Sequence, residues 1–342
     1  MKLRTLIVTG VSLGLLWWFL RHANLADVWD QVRRANPLFL VFGFLFVVST
    51  YWVRAVRWHH MLTPIGPVRF RSTFRATVIG FAALGVLPAR AGDVLRPYLL
   101  ARQEGLSVTA TMATIVIERV LDLVAVLVLL AVYVFGFADT DTMSVRALRS
   151  IEVSAAAAAA VALVLLGLLW TLASHPERIG TLTLSATRIL PAAMGRRLAY
   201  MASRFSSGLV VTKRPREFVL AASWSLPIWI LGAAEIWAVT RAFGMALPFP
   251  GSFLIQSLLV IGVAVPTPGG VGSFHEAYRF GMTSFFGAAN ASAVAAAIVV
   301  HALSFGPVIL AGLLFLAQDG LTIGRLRSLA VSEGARGAAL NS

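Results

Sequence analysis

Apolar stretches too long for a soluble core constrain this chain more than any other feature. Segments 153–173 and 291–317 are nearly unbroken runs of Ala, Val, Leu, Ile and Phe, longer than the roughly 18 apolar residues that suggest a bilayer-spanning helix. Mean hydropathy is +0.82, and 58% of the residues are hydrophobic against 13% charged. A water-soluble domain has no way to hide that much apolar surface. The sequence therefore predicts an all-α, polytopic membrane helix bundle. It has no cysteine, which excludes disulfides, thiolate metal sites and thiol catalysis. The net charge of +14 is carried almost wholly by arginine, with Lys2 and Lys213 as the lysines. On a membrane chain such an excess marks cytoplasmic loops facing anionic headgroups rather than nucleic acid.

The N-terminus, MKLRTLIVTGVSLGLLWWFL, has the basic start and apolar run of a secretory signal. Bulky Trp17, Trp18 and Phe19 stand where a cleavage site needs small residues, so the expectation is an uncleaved first helix. Further apolar segments fall at 37–53, 74–87, 108–137, 153–173, 217–243, 252–265, 274–286 and 291–317. Three of them, 74–87, 252–265 and 274–286, are too short for a full crossing of about 20 residues. Basic residues concentrate at 54–75, 174–216 and the tail, while 138–152 is acidic on balance. The positive-inside rule then makes both termini cytoplasmic, in the cytoplasmic (inner) cell membrane. Loop 21–36, placed outside, fits less well because it contains Arg21, Arg33 and Arg34. This orientation closes with about six full spans and two re-entrant hairpins, 74–100 entering from the cytoplasm and 252–286 from outside. Residues 176–212 read as an interfacial amphipathic helix pair, and the alanine run 155–160 as a close-packed helix face. The expected organisation is one integral domain over 1–320 and a disordered cytoplasmic tail over 321–342.

The two hairpins carry the most informative motifs, GVLPARAGDVLRPYLL at 85–100 and VAVPTPGGVGSFHEAYRF at 263–280. Pro88 and Gly92 break the first, and Pro266 and Pro268 the second. A shift of 180 positions lays Pro88 on Pro268, Gly92 on Gly272 and Tyr98 on Tyr278. Interrupted segments in corresponding places of two opposed repeats mark the binding site of many transporters, and broken backbone at membrane depth needs protein cover or water. The first hairpin offers Arg90, Asp93 and Arg96, the second His275, Glu276 and Arg279. Gly269, Gly270 and Gly272 either free helix-start amides for an anion or serve a tight turn alone. The arginines would hold a phosphate or snorkel to headgroups.

A third constellation, IVIERVLDLVAVL at 115–127, lies deep in a span. Glu118 stands ten residues past Val108, about 15 Å into the membrane at the helical rise. Glu118 and Asp122 share a face at i, i+4, while Arg119 points about 100° away and is expected not to pair with Glu118 directly. Two carboxylates on one face in low dielectric require a cation or a proton; Arg90 and Arg96 are the candidate cations. Such a group is either functional or a structural ion-pair lock. Glu235 and His301 also fall in spans, as members of a proton path or as polar residues satisfied by a neighbouring helix. His59 and His60 adjoin a tryptophan read as interfacial and lack metal-ligand spacing. Nucleophile elbows, Walker loops and dinucleotide fingerprints are absent.

In order, LPARAGDVLRPYLL, ERVLD and PTPGGVGSFHEA resemble the motifs of the lysylphosphatidylglycerol-synthase transmembrane-domain family of flippase-like membrane proteins, over roughly Pro37 to Ala317. The chain departs from the family where Asp93 replaces the usual Glu, and where Ala83, Leu84 and Gly85 replace asparagines before the proline. The resemblance matches Pro88, Arg90, Gly92, Asp93 and Arg96 to the first motif and Glu118, Arg119 and Asp122 to the second. It matches Pro268, Gly269, Gly270, Gly272 and Glu276 to the third. The namesake's cytoplasmic aminoacyl-transfer domain has no counterpart here, which points to the translocating part alone.

Together these features predict a translocator moving a phospholipid or polyprenyl-phosphate-type lipid between leaflets. Arg90, Arg96, Arg119, Gly269, Gly270 and Gly272 are the phosphate candidates. Asp93, Glu118, Asp122 and Glu276 would orient them or carry a coupling proton. Neither cofactor nor metal is expected. Expected partners are anionic membrane lipids, with a lipid-modifying or glycosyltransferase enzyme and a second copy of the chain as further candidates. The alternatives are a membrane-embedded transferase or hydrolase acting on a lipid-linked phosphate, and an accessory subunit of a lipid-modifying synthase.

Overall fold

The structure, a computed structural model, describes residues 25–87, 90–137, 208–265 and 267–318, with isolated positions between 149 and 205. The first helix, the loop 138–152, most of the 153–173 span and of the interfacial pair, the tail, Pro88 and Pro266 lie outside the described residues. The described regular structure is helical: α1 Leu25–Arg34, α2 Pro37–Leu62, α3 Phe70–Val86, α4 Ala91–Glu104, α5 Val108–Gly136, α6 Pro215–Ala242, α7 Gly251–Ala264, α8 Ser273–Phe286 and α9 Asn290–Gln318. Short 3-10 turns cover Leu209–Lys213 and Pro268–Gly270.

Local sequence sets these boundaries. Asn36 caps α2 by accepting from the Leu38 N–H at 3.0 Å, and Pro37 fits the first turn, where an N–H has no helical partner. Ser107 starts α5 by accepting from Ala110. Helices α4 and α8 stop at Gly105 and Gly287, both with left-handed backbone. Three helices, Pro37–Leu62, Pro215–Ala242 and Asn290–Gln318, are long and apolar enough to cross a membrane. Helix α5 has 29 residues, ample for a crossing by length. The helices of the two hairpins, α3–α4 and α7–α8, have 17, 14, 14 and 14 residues, short of the roughly 20 that a crossing needs.

One correction concerns α2. The sequence pattern ends the apolar run at residue 53 and puts the arginines after it in a cytoplasmic loop. The helix instead continues to Leu62, carrying Arg54 and Arg57 into the bundle, because partners elsewhere neutralise them. Residues 25–34 of the ill-fitting loop form α1, where Arg33 lies 4.9 Å over the Trp29 ring while Val28 is buried against the core.

Helix starts at 37, 70, 91 and 108 recur in order at 215, 251, 273 and 290, an offset of roughly 180 residues. Packing follows the same exchange: α3 lies on α9 as α7 lies on α5, and α4 on α5 as α8 on α9. The first members of the two sets, α2 and α6, run antiparallel. The Asn36 N–H donates to the Ala242 carbonyl at 2.8 Å at one end, and His60 Nδ1 lies 3.6 Å from Glu217 Oε2 at the other. The hairpin turns meet between them. A Cβ on Gly269 would lie 2.7 Å from the Gly85 carbonyl oxygen, so side chains are excluded where the two backbones touch.

Candidate functional site

Helix α5 brings Glu118, Arg119 and Asp122 to the face shared by α2, α4 and α6. Glu118 is fully buried and accepts from Arg96 Nη1 at 2.9 Å and Arg119 Nη2 at 2.8 Å. Arg57 Nη2 stands 3.5 Å away. Asp122 accepts from Arg57 Nη1 at 2.6 Å and Trp229 Nε1 at 3.0 Å. Arg119 Nη1 and Arg54 Nη1 lie 3.6 and 3.9 Å from its other oxygen. Asp93 closes the group, 3.2 Å from Arg90 Nε and 3.7 Å from Arg119 Nη2. Five guanidiniums thus face three carboxylates, an excess of two positive charges.

Apolar and aromatic packing holds the buried cations. The Arg96 guanidinium sits 3.8 Å over the Trp58 ring, and Trp58 Nε1 donates to Thr114 Oγ1 at 2.9 Å. Such stacking suits the planar guanidinium. Arg57, fully buried, also donates to Ser225 Oγ at 3.0 Å. Desolvating this many charges is costly, and mutual attraction offsets it only with good geometry on every ion. Hydrogen bonding remains incomplete: Arg119 Nε, Arg57 Nε, Arg96 Nε and Asp122 Oδ2 are buried without a hydrogen-bond partner.

Beside this cluster lies a cavity of about 430 Å³. Arg54, Arg90, Arg119 and Asp122 line one part of it, and Tyr51, Glu235, Gln256 and Ser304 another. Gly269 and Gly270 bring the second hairpin's turn to its wall, and the rest is largely aliphatic and aromatic. Arg57, Arg96 and Glu118 stand behind the lining and fix the guanidiniums that reach it.

Arg90, Asp93, Arg96, Glu118, Arg119 and Asp122, singled out from the sequence, therefore converge on one network. Arg96 is the cation at Glu118, whereas Arg90 meets Asp93. The expectation that Arg119 would miss Glu118 is wrong. Helical side chains lean toward the N-terminus, and the long arginine stem folds its fork back onto the preceding residue. Arg54 and Arg57 escaped notice because clustered arginines after an apolar run read as a loop; their i, i+3 spacing on an extended helix is the signal that was available. Trp58 is fully buried rather than interfacial.

The remaining candidates stand apart. Gly92 lies inside α4 rather than at the break, and a Cβ there would meet the Gly80 carbonyl oxygen at 2.1 Å. Its task is close helix packing. Gly272 caps α8 with φ 89°, and its N–H donates to His275 Nδ1 at 3.3 Å. Glu276 pairs with Arg279 on its own helix, away from the cavity lining. Pro268 opens the turn Pro268–Gly270.

A helical chain with apolar membrane-length helices and a buried charge network beside an apolar-lined cavity is a multi-pass membrane protein. The family model described as the lysylphosphatidylglycerol synthase TM region matches residues 5–312. The chain belongs to that family, whose description ties it to membrane lipid modification. No curated protein matches it.

Proposed function

We propose that this chain is a lipid translocator whose arginine-lined cavity carries a lipid phosphate between leaflets while the acyl chains stay in the bilayer. The observation that carries the reading is the excess of two guanidinium charges, part of it facing a cavity where two hairpin turns meet. A phosphodiester or phosphomonoester supplies the missing negative charge. Arg54, Arg90 and Arg119 contact it; Arg57 and Arg96 position them through Glu118 and Asp122. Gly269 and Gly270 let the second hairpin's backbone approach the same ligand.

The recurring helix order and the antiparallel α2–α6 pair support an inverted repeat, α2–α5 against α6–α9, with re-entrant hairpins from opposite sides. Broken backbone at their turns is tolerated because protein and cavity cover it. Basic residues after α2, at Arg69, Arg71 and Arg75, favour a cytoplasmic side for that end and, with it, for both termini. The ligand is a phospholipid or a polyprenyl phosphate. A lipid-modifying enzyme, and a second copy of the chain, remain the proposed protein partners.

The test uses protein reconstituted into liposomes and a leaflet-accessibility assay with fluorescent phospholipids and polyprenyl phosphates. Wild type moves at least one of them, and Arg119→Gln slows that movement about tenfold or more, the loss of roughly one charge-assisted contact. Conversion of the lipid to a new chemical species would replace the translocator with an enzyme. Unchanged movement by Arg119→Gln would remove the arginine cavity from the path.

A further inference from the structure

We infer that Glu235 is a proton-carrying site and that lipid movement through this cavity is coupled to proton movement, an inference that rests on the translocator reading. Two kinds of ionisable group border the cavity. In the arginine network every carboxylate meets at least two guanidiniums: Glu118 has Arg57, Arg96 and Arg119, Asp122 has Arg54, Arg57 and Arg119, and Asp93 has Arg90 and Arg119. Arginine does not release its proton in proteins, so this network is fixed charge.

Glu235 differs. It is 7% exposed, lines the same cavity and makes no ion pair with any described residue. Its hydrogen bond comes from Ser304 Oγ at 2.5 Å. A carboxylate this far from water with no cation beside it is costly, and a proton removes the charge. An unpartnered acceptor lines the same cavity. Gln256 Oε1 is buried without a partner and stands 3.3 Å from the Cβ position of Gly232, one turn before Glu235 on α6. From the other packed elements, Tyr51 and Arg54 on α2 and Arg119 and Asp122 on α5 share the cavity, and none of them ion-pairs with Glu235.

The helix that carries Ser304 also reaches the second hairpin. His301 lies one turn before Ser304 on α9, and its Nε2 donates to the Gly269 carbonyl at 2.8 Å. Its ring centre is 4.5 Å from that of His275 on α8, whose Nδ1 accepts from Gly272. The step is a proton exchange alone: a proton from water on one side adds to a Glu235 carboxylate oxygen, and it leaves to water on the other side after the hairpins change places. No bond to carbon forms and nothing is oxidised or reduced.

Liposomes holding the full chain, a trapped pH dye and fluorescent phosphatidylglycerol read both movements. In wild type, a one-unit pH gradient biases lipid distribution by up to about tenfold, the ratio one coupled proton supplies, and reversing the gradient reverses the bias. Glu235→Gln binds the lipid within about threefold of wild type, yet loses both the bias and the dye signal; Glu235→Asp keeps them. A gradient response retained in Glu235→Gln overturns the assignment of Glu235. Wild-type transport indifferent to the gradient overturns coupling and leaves the translocator intact. No lipid movement by wild type at any gradient overturns both.

Discussion

Each hairpin turns through a residue with positive φ just before its second helix, Arg90 in the first (φ 54°) and Gly272 in the second (φ 89°). Glycine occupies such backbone freely, whereas an arginine there costs about 1–2 kcal/mol. Arg90 is the one non-glycine residue with positive φ among those described, and it lines the cavity. The first hairpin thus accepts strain to put a cation where its counterpart has only backbone. Charge follows the same division. Arg90, Asp93 and Arg96 join a network reaching α2 and α5, while Glu276 and Arg279 pair along a single helix. The two halves share a layout, but the multi-helix charge network draws on the hairpin of the first and not on that of the second.

The largest expected effect tests that division. Glu118→Gln leaves Arg57, Arg96 and Arg119 around an uncharged amide, and breaking a buried pair costs about 3–5 kcal/mol. Glu276→Gln removes a partly exposed i, i+3 pair and costs about 1 kcal/mol or less. Denaturant unfolding in micelles measures both, and equal costs would break the comparison. Packing gives the next effect. Gly92→Ala drives a methyl into the Gly80 carbonyl, with a loss of about 3 kcal/mol. Gly272→Ala puts a side chain on positive-φ backbone that glycine alone adopts freely, at about 1–3 kcal/mol. The smallest change has the opposite sign: Arg90→Gly relieves strain and raises unfolding stability by about 1 kcal/mol, while lipid movement slows. Arg90→Gly that destabilises the protein would remove strain from the account.

Much of this was legible in the residues. Prolines and glycines marked both hairpins because lipid leaves few other uses for them at that depth. Glu118, Asp122 and Arg96 stood out because ionisable groups in apolar runs need partners. Arg57 did not, since hydropathy ends a span where charge begins, and only the bundle shows which charges are neutralised inside it. The α2/α6 and α5/α9 correspondence was also hidden. Close-packed apolar helices share a pattern without sharing residues, so only the matched Pro, Gly and Tyr positions of the hairpins betrayed the 180-residue offset. The Gln256–Glu235 region depends on three helices meeting, which no spacing along the chain reveals.

The account stands or falls on the two hairpins opening to opposite sides of the membrane. Gln103, near the end of α4, and Ala289, just past α8, are both exposed, and the chain has no native cysteine, so single cysteines at these two positions give an unambiguous reading. In sealed, oriented vesicles an impermeant maleimide should label Gln103→Cys from the cytoplasmic side alone and Ala289→Cys from the outer side alone. Labelling of both from the same side would contradict the inverted arrangement, and with it the passage of a lipid phosphate between the two hairpins.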